Sequence, residues 1–326
     1  MEKESNIMVG LGEVLWEIGP QSKRFGGGPA TFAYYAALLG NRGIVASKVG
    51  ADELGTEMVE NFKKLGVEAD FVQTDELAPT GTITVEPDPK GEMTYTINEE
   101  VAWDYFDWDD KWETLASQAS LICFNSLSQR GPQSYHAIRR FLRAASRECV
   151  RIFDVHLRDS YYCVEKLNES MLMADVVKLS ESQLPQIFRV LGLKPGNLRA
   201  SAKLLQENYG LRMLVLTRGQ RGCMLVTENQ VVEHPGFKIK QVDEMGAGDA
   251  FAAVIGHHFL RAAPLDRMAE AANRLAAFVA SRQGTMVEVD KNTLSQVTAS
   301  AAKKSNGGSN GKGNYRGDNR RNPPRQ

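Results

Sequence analysis

A chain of 326 residues with 42% apolar, 8% aromatic and 24% charged side chains has the material for a substantial core, which excludes a wholly disordered protein. Lys plus Arg, 39, nearly balance Asp plus Glu, 40, and the net charge of −1 excludes a protein built throughout to coat nucleic acid or an anionic membrane. The first residues carry no basic segment followed by a long apolar run, so no secretory leader is expected. No stretch approaches the ~20 apolar residues that span a bilayer, and the richest window, 250–260, is interrupted by Gly256, His257 and His258. Cys123, Cys149, Cys163 and Cys223 lie far apart with no CxxC pair, the pattern of reduced thiols in a cytoplasmic protein rather than of a metal or disulfide framework.

In chain order, the hydrophobic periodicity predicts a strand over 7–11, a helix over 29–39 with Pro29 in its first turn and Gly40 at its end, and a strand over 44–49. Asp52 then precedes Leu54, Met58, Phe62 and Leu65 at helical spacing, and Gly66 stops that helix. Thr80 to Glu86 and Glu92 to Ile97 alternate about the turn Pro87-Asp-Pro-Lys-Gly91, a hairpin with no helix attached. Such a flap reads either as a lid over a cleft at the strand ends or as a simple edge hairpin. Strands over 121–124, 151–155, 175–179 and 213–217, with amphipathic helices between them, continue a βαβ rhythm. The fold class expected is α/β: a doubly wound, mostly parallel sheet flanked by helices, with a small β-sheet lid. Apolar helices over 250–261 and 264–282 close the body.

Residues 305–326 hold five Gly, five Asn and two Pro with one aromatic and no aliphatic side chain, so they are expected to form a disordered tail outside a domain of residues 1–304. Lys312, Arg316, Arg320, Arg321 and Arg325 against Asp318 give this tail a charge of +4, which leaves the body at about −5. RNA contact by the tail and a merely solubilising role both fit that composition.

The strongest local signal is Val242-Asp-Glu-Met-Gly-Ala-Gly-Asp-Ala-Phe251, running into an apolar helix. Gly246, Ala247 and Gly248 carry minimal side chains, so their amides can converge at the helix N-terminus as an anion hole for phosphate. An ordinary N-cap at Asp249 would look the same. Upstream, Gly26-Gly-Gly-Pro-Ala-Thr-Phe-Ala33 allows close backbone approach to a ligand before a helix starts. No GxxxxGK[ST] loop occurs, so a kinase reading requires phosphates held in another way. Thr217-Arg-Gly-Gln-Arg-Gly222 supplies a further glycine turn after a strand, able to border a nucleotide or simply to turn a hairpin, and Asn273 lies on a helix able to wall the base.

These segments, with Asp154-x-x-x-Arg158 between them, stand in the order found in the ribokinase-like, or PfkB, family of carbohydrate kinases, which the chain resembles over roughly residues 7–290. Gly12-Glu-Val-Leu-Trp16 and Val101-Ala-Trp-Asp104 resemble its fructokinase-type branch. The resemblance implies ATP-dependent phosphorylation of a sugar hydroxyl, fructose or a related sugar, with Mg2+ and with a monovalent cation such as K+ near Asp243. It implies that Asp249 is the base, ionised and able to take a hydroxyl proton, and that Gly246, Ala247 and Gly248 stabilise the transferring phosphoryl group. Glu17, Gly27, Gly28, Thr31, His156 and Arg158 are then expected on the acceptor side. Thr217, Gly219, Gly222 and Asn273 are expected beside ATP, and Glu181 as a carboxylate for the metal. The family also implies lid strands within about 12–25 and 80–98, and their pairing in a homodimer.

The departures are as informative. Glu17 stands where relatives usually have Asp, while Thr31 and His156 stand where they have Asn. Ser180-Glu-Ser-Gln183 replaces an Asn-x-x-Glu segment, and Glu244 replaces a Thr. A site built for specific hydrogen bonds rejects mismatched ligands strongly, so these changes keep open an alternative: a catalytically weak or inactive kinase-like protein that binds a ligand or partner.

Overall fold

The computed structural model describes residues 5–20, 22–87, 93–158 and 161–299. Its strands are, in chain order, β1 (Ile7–Leu11), β2 (Leu15–Gly19), β3 (Ser22–Gly26), β4 (Arg42–Gly50), β5 (Glu68–Asp75), β6 (Thr82–Pro87) and β7 (Met93–Ile97), then β8 (Leu121–Asn125), β9 (Val150–Asp154), β10 (Val176–Ser180), β11 (Met213–Thr217), β12 (Cys223–Val226) and β13 (Val231–His234). The helices are α1 (Gly28–Leu38), α2 (Glu53–Lys64), α3 (Asp110–Gln118), α4 (Pro132–Ala144), α5 (Val164–Met173), α6 (Leu184–Val190), α7 (Leu198–Asn208), α8 (Ala247–Phe259), α9 (Leu265–Ala280) and α10 (Lys291–Thr298).

Nine strands form one sheet in the order β13-β12-β11-β10-β9-β8-β1-β4-β5, parallel except where β12 runs antiparallel to β11 and β13. Successive side chains of each strand go to opposite faces. Met8, Leu121, Ile152 and Val215 enter one core with α1, α2, α8 and α9. Val9, Ile122, Phe124, Phe153 and Leu214 enter the other with α3 to α7. Burial on both faces explains why these strands read as nearly continuous apolar runs.

Two glycines set how closely α1 lies on the sheet. A Cβ at Gly10 or Gly43 would run into the carbonyl oxygens of Pro29 and Ala33, so α1 rests directly on β1 and β4. Gly256 lets α8 settle onto the side chains of Met8, Leu121 and Ile152. The N-termini of α1 and α8 thereby meet above the carboxyl ends of the central strands, where open α/β sheets bind ligands.

The predicted hairpin is present as β6 and β7 in a separate four-stranded sheet, ordered β3-β2-β6-β7. Trp16 and Phe25 anchor this sheet to the body: Phe25 packs edge-on to Phe62 of α2, and the Trp16 indole N–H donates to the Leu54 carbonyl at 2.9 Å. Glu17 and Arg24 pair across β2 and β3, and Arg24 reaches Asp243, so the small sheet stands on the side of Asp249. The hairpin turn at 88–92 and the tail at 305–326 lie outside the described residues. Among the described residues no helix is long and apolar enough to cross a membrane, and the four cysteines are free thiols.

Candidate active site

Helix α8 starts at Ala247, earlier than the apolar pattern suggested, because Gly246 caps it in a left-handed conformation, φ 77°. A Cβ there would lie 2.5 Å from the Thr285 carbonyl oxygen, so only glycine fits. The first amides of a helix have no acceptor within it. The Ala247 N–H turns back to the Glu244 carbonyl at 3.3 Å, while Gly246, Ala247 and Gly248 all line a cavity of about 510 Å³. Asp249, in the first turn of α8, forms part of the same wall.

The cavity brings together His156, Arg158, Thr217, Gly219, Gly222 and Asn273 with that helix start. Phe237, Ile239, Ala276 and Ala277 give its far end an apolar lining suited to a flat heterocycle. Gly222 also has a packing reason: φ is 84°, and a side chain would strike the His234 carbonyl. Asn273 is buried, donating to the Ala269 carbonyl at 2.6 Å and to Cys223 Sγ at 3.1 Å. Glu244 is exposed, within 3.4 Å of Gln241.

Behind Asp249 lies a buried charge cluster. Lys178 Nζ, on β10, donates to both oxygens of Asp154, at the end of β9, at 2.7 Å. His156 Nε2 is 3.5 Å from Asp154 Oδ2 and 3.9 Å from Asp249 Oδ1. Burial pushes the Asp249 carboxyl up to about 7; Asp154 and Glu13 push the same way, while His156 and Lys178 oppose it. Burial also penalises the Asp154 carboxylate, yet Lys178 and His156 outweigh it and hold that carboxyl below its usual range. Asp154, His156 and Asp249 offer three metal-type ligand atoms within 4.8 Å of one another. The Lys178 ammonium already occupies both Asp154 oxygens, and a metal ion would meet it there.

Several expected residues lie outside the cavity wall. Gly27 takes φ 111° against the Glu13 backbone, and Gly28 opens α1 facing the cluster. Thr31 is 1% exposed, its hydroxyl without a partner in the described structure. Glu17 is held by Arg24, with its Oε2 buried and unpartnered. Glu181, expected to serve a metal, pairs with Arg221 at 2.7 Å, and the cavity is lined by its neighbours Ser180 and Ser182 instead. Gln183 is structural: its Oε1 accepts from the Ser180 N–H at 2.9 Å and its amide donates to the Val155 carbonyl at 2.7 Å. Asp243 accepts from the Met245 and Gly284 amides at 3.0 and 3.2 Å and from Arg24 at 3.0 Å, so a K+ ion there would share the carboxylate with a guanidinium.

The sequence reading did not single out Glu13, Asn125, Lys178 or Arg24. Glu13, 2% exposed, accepts from the Asn125 amide at 3.0 and 2.9 Å, from the Ser128 hydroxyl, and from the Gly28 N–H at 3.3 Å, placing a carboxylate at the N-terminus of α1. Arg24 ties Glu17 of the small sheet to Asp243 in the loop preceding α8. Replacing Arg24 by Met is expected to cost about 1–2 kcal/mol in urea unfolding, because the Glu17 carboxylate stays buried without a donor. Adding Glu17→Met should recover most of that loss; an additive loss would show that the two side chains do not depend on each other.

The family model for pfkB family carbohydrate kinases matches residues 3–292. In sequence the chain is similar to a fructokinase of Escherichia coli, 28% identical over 254 residues that make up 74% of this chain and 81% of that protein. In structure it is similar to the fructokinase of Xylella fastidiosa solved with bound ATP, with a TM-score of 0.78 and 22% identity over 90% of this chain and 97% of that one. It is also similar to a ribokinase II candidate of Escherichia coli solved with ATP and Mg2+, with a TM-score of 0.73 and 19% identity over 86% and 94% of the two chains. The structural likeness carries the fold, and the family match spans both glycine segments and the charge cluster between them. The chain belongs to the pfkB family of carbohydrate kinases, phosphotransferases of ribokinase-like α/β fold that act on an alcohol group.

Proposed function

We propose that the protein transfers the γ-phosphoryl group of ATP to a hydroxyl of fructose or a related sugar. The observation that carries this reading is the placement of Asp249, a carboxylate in the first turn of α8 beside the anion-hole glycines, on the wall of a cavity large enough for a nucleotide. Asp249 accepts the proton of the acceptor hydroxyl as its oxygen bonds to the γ-phosphorus and the bond to the ADP oxygen breaks. The amides of Gly246 and Gly248 would face the charge that develops on the phosphoryl oxygens, joined by the Ala247 N–H once it leaves the Glu244 carbonyl. Glu17 Oε2 and Thr31 Oγ1, buried and without partners in the described structure, support an acceptor site between the small sheet and α1, since sugar hydroxyls would satisfy them.

Mg2+ suits this wall as an ion carried mainly by phosphates and water, and Glu181 would serve it only by leaving Arg221; the ion would neutralise charge on the ATP phosphates. The fructokinase name of the Escherichia coli relative supports the acceptor class. We extend the proposal to a homodimer formed through the small sheet, which would bury the half-exposed Tyr95 of β7. The kinase reading is tested by ATP consumption over a panel of ketoses, aldoses, sugar acids and nucleosides. Turnover is expected with at least one ketose. A folded protein that turns over no acceptor would overturn the reading in favour of a kinase-like binding protein.

A further inference from the structure

The imidazole of His156 stands in the charge cluster behind Asp249, and the reaction just described does not use it. One ring nitrogen, Nε2, faces two carboxylates, 3.5 Å from Asp154 Oδ2 and 3.9 Å from Asp249 Oδ1. Two features hold it there. The Ser126 hydroxyl donates to the His156 carbonyl, fixing its backbone. The ring also packs closely on Gly28, where a Cβ would stand 3.0 Å from His156 Cε1, 3.1 Å from Asp249 Oδ1 and 3.5 Å from Asn125 Nδ2.

The charges around it come from every packed element. Asp154 faces it from β9, Lys178 from β10 and Asp249 from α8; Glu13 and Cys123 lie behind Asp249 and Asp154. Arg158 follows on the same loop and is exposed. Lys178 is committed to Asp154 through both carboxylate oxygens. Asp249 therefore needs a second cation if it is to stay ionised beside Asp154 and Glu13, and His156 is the side chain placed to be one.

We propose that His156 is a positioning residue: its Nε2, facing both Asp154 and Asp249, presents positive charge to the Asp249 carboxylate and favours its ionised form, an inference that rests on Asp249 being the base. Burial works against the charged ring, but Asp154 and Asp249 outweigh it and raise the imidazole above its ordinary value.

The direct test is an NMR pH titration of the imidazole Cε1 protons of the full chain, with the His156 signal assigned as the one lost in His156→Asn. His156 is expected to titrate above 6.5, and its midpoint should fall by about one pH unit in Asp249→Asn, where one carboxylate partner is gone. A midpoint unmoved by Asp249→Asn overturns the proposal. The second readout is the pH dependence of kcat/KM with ATP and fructose, or with whichever panel sugar is turned over. His156→Asn should move its acid limb up by about one unit with little change in KM for ATP, whereas a uniform loss at every pH would assign His156 to sugar binding instead. Failure of the base itself is distinguishable: Asp249→Asn would then keep its turnover whatever the His156 titration shows.

Discussion

Replacing Asp249 by Asn is expected to cut kcat by about 10²- to 10⁴-fold, the usual contribution of a positioned general base, while leaving the fold intact and more stable above neutral pH. Both effects have one origin. Asp249 is held in a buried cluster where its carboxyl titrates near 7 instead of 3.8. A carboxyl whose folded value lies above its unfolded value binds its proton more tightly in the native state. Its favourable contribution is therefore complete below about pH 4 and is lost as pH rises toward 7. Asn cannot ionise, so the variant escapes that loss. Thermal unfolding at pH 8 should show the variant a few degrees above the natural chain, and at pH 4 the two should coincide. Activity in the natural chain should fall on the acid side of about pH 7, where the base becomes protonated. An Asn variant that keeps its kcat would remove Asp249 from the chemistry, and one less stable at pH 8 would show that its charge supports the fold.

The helix start proposed as the anion hole was legible because it is local. Gly246, Ala247, Gly248 and Asp249 are consecutive, and the chemistry of a helix start depends on neighbours in sequence. The first sign of its exact boundary was hidden in Gly246, whose role depends on Thr285, a residue nearly forty positions away. The supporting network could not be read locally, because its partners are distant: Glu13 with Asn125 across 112 residues, Arg24 with Asp243 across 219. Strands β2 and β3 carry Glu17, Lys23 and Arg24, so neither shows the apolar alternation that marks a strand. Lys178 did leave a trace, since a lysine inside Val176-Val-Lys-Leu-Ser180 is a charge in a strand otherwise written for burial. That oddity signals a buried partner, though not which one. The motif substitutions also divide once placed in space: Gln183 caps a turn, Glu244 is an exposed carboxylate on the cavity wall, and His156 alone joins the cluster behind Asp249.

Lys178→Met should be the most damaging substitution for stability. Both Lys178 and Asp154 are buried, and without the ammonium Asp154 keeps only the His156 imidazole, 3.5 Å away, beside it; breaking a buried pair costs about 3–5 kcal/mol. Urea unfolding at pH 7 should show that loss through a lower midpoint with an unchanged slope. The loss should shrink in acid. The Asp154 carboxyl is held below its unfolded value, so the stability it contributes is present above about pH 4 and is lost as pH falls through the folded value. Without the ammonium, Asp154 can shed its charge by taking a proton, and the variant should approach the natural chain as pH drops toward 4. Adding Asp154→Leu to Lys178→Met replaces the pair with apolar groups and should recover most of the stability at pH 7. Activity should not return with it, because His156 then lacks the carboxylate that orients it and Asp249 loses the lysine charge that opposes its protonation. Recovery of both would mean that the ion pair only fills the core beneath the base; recovery of stability alone would show that the same two charges that stabilise the fold also tune the base.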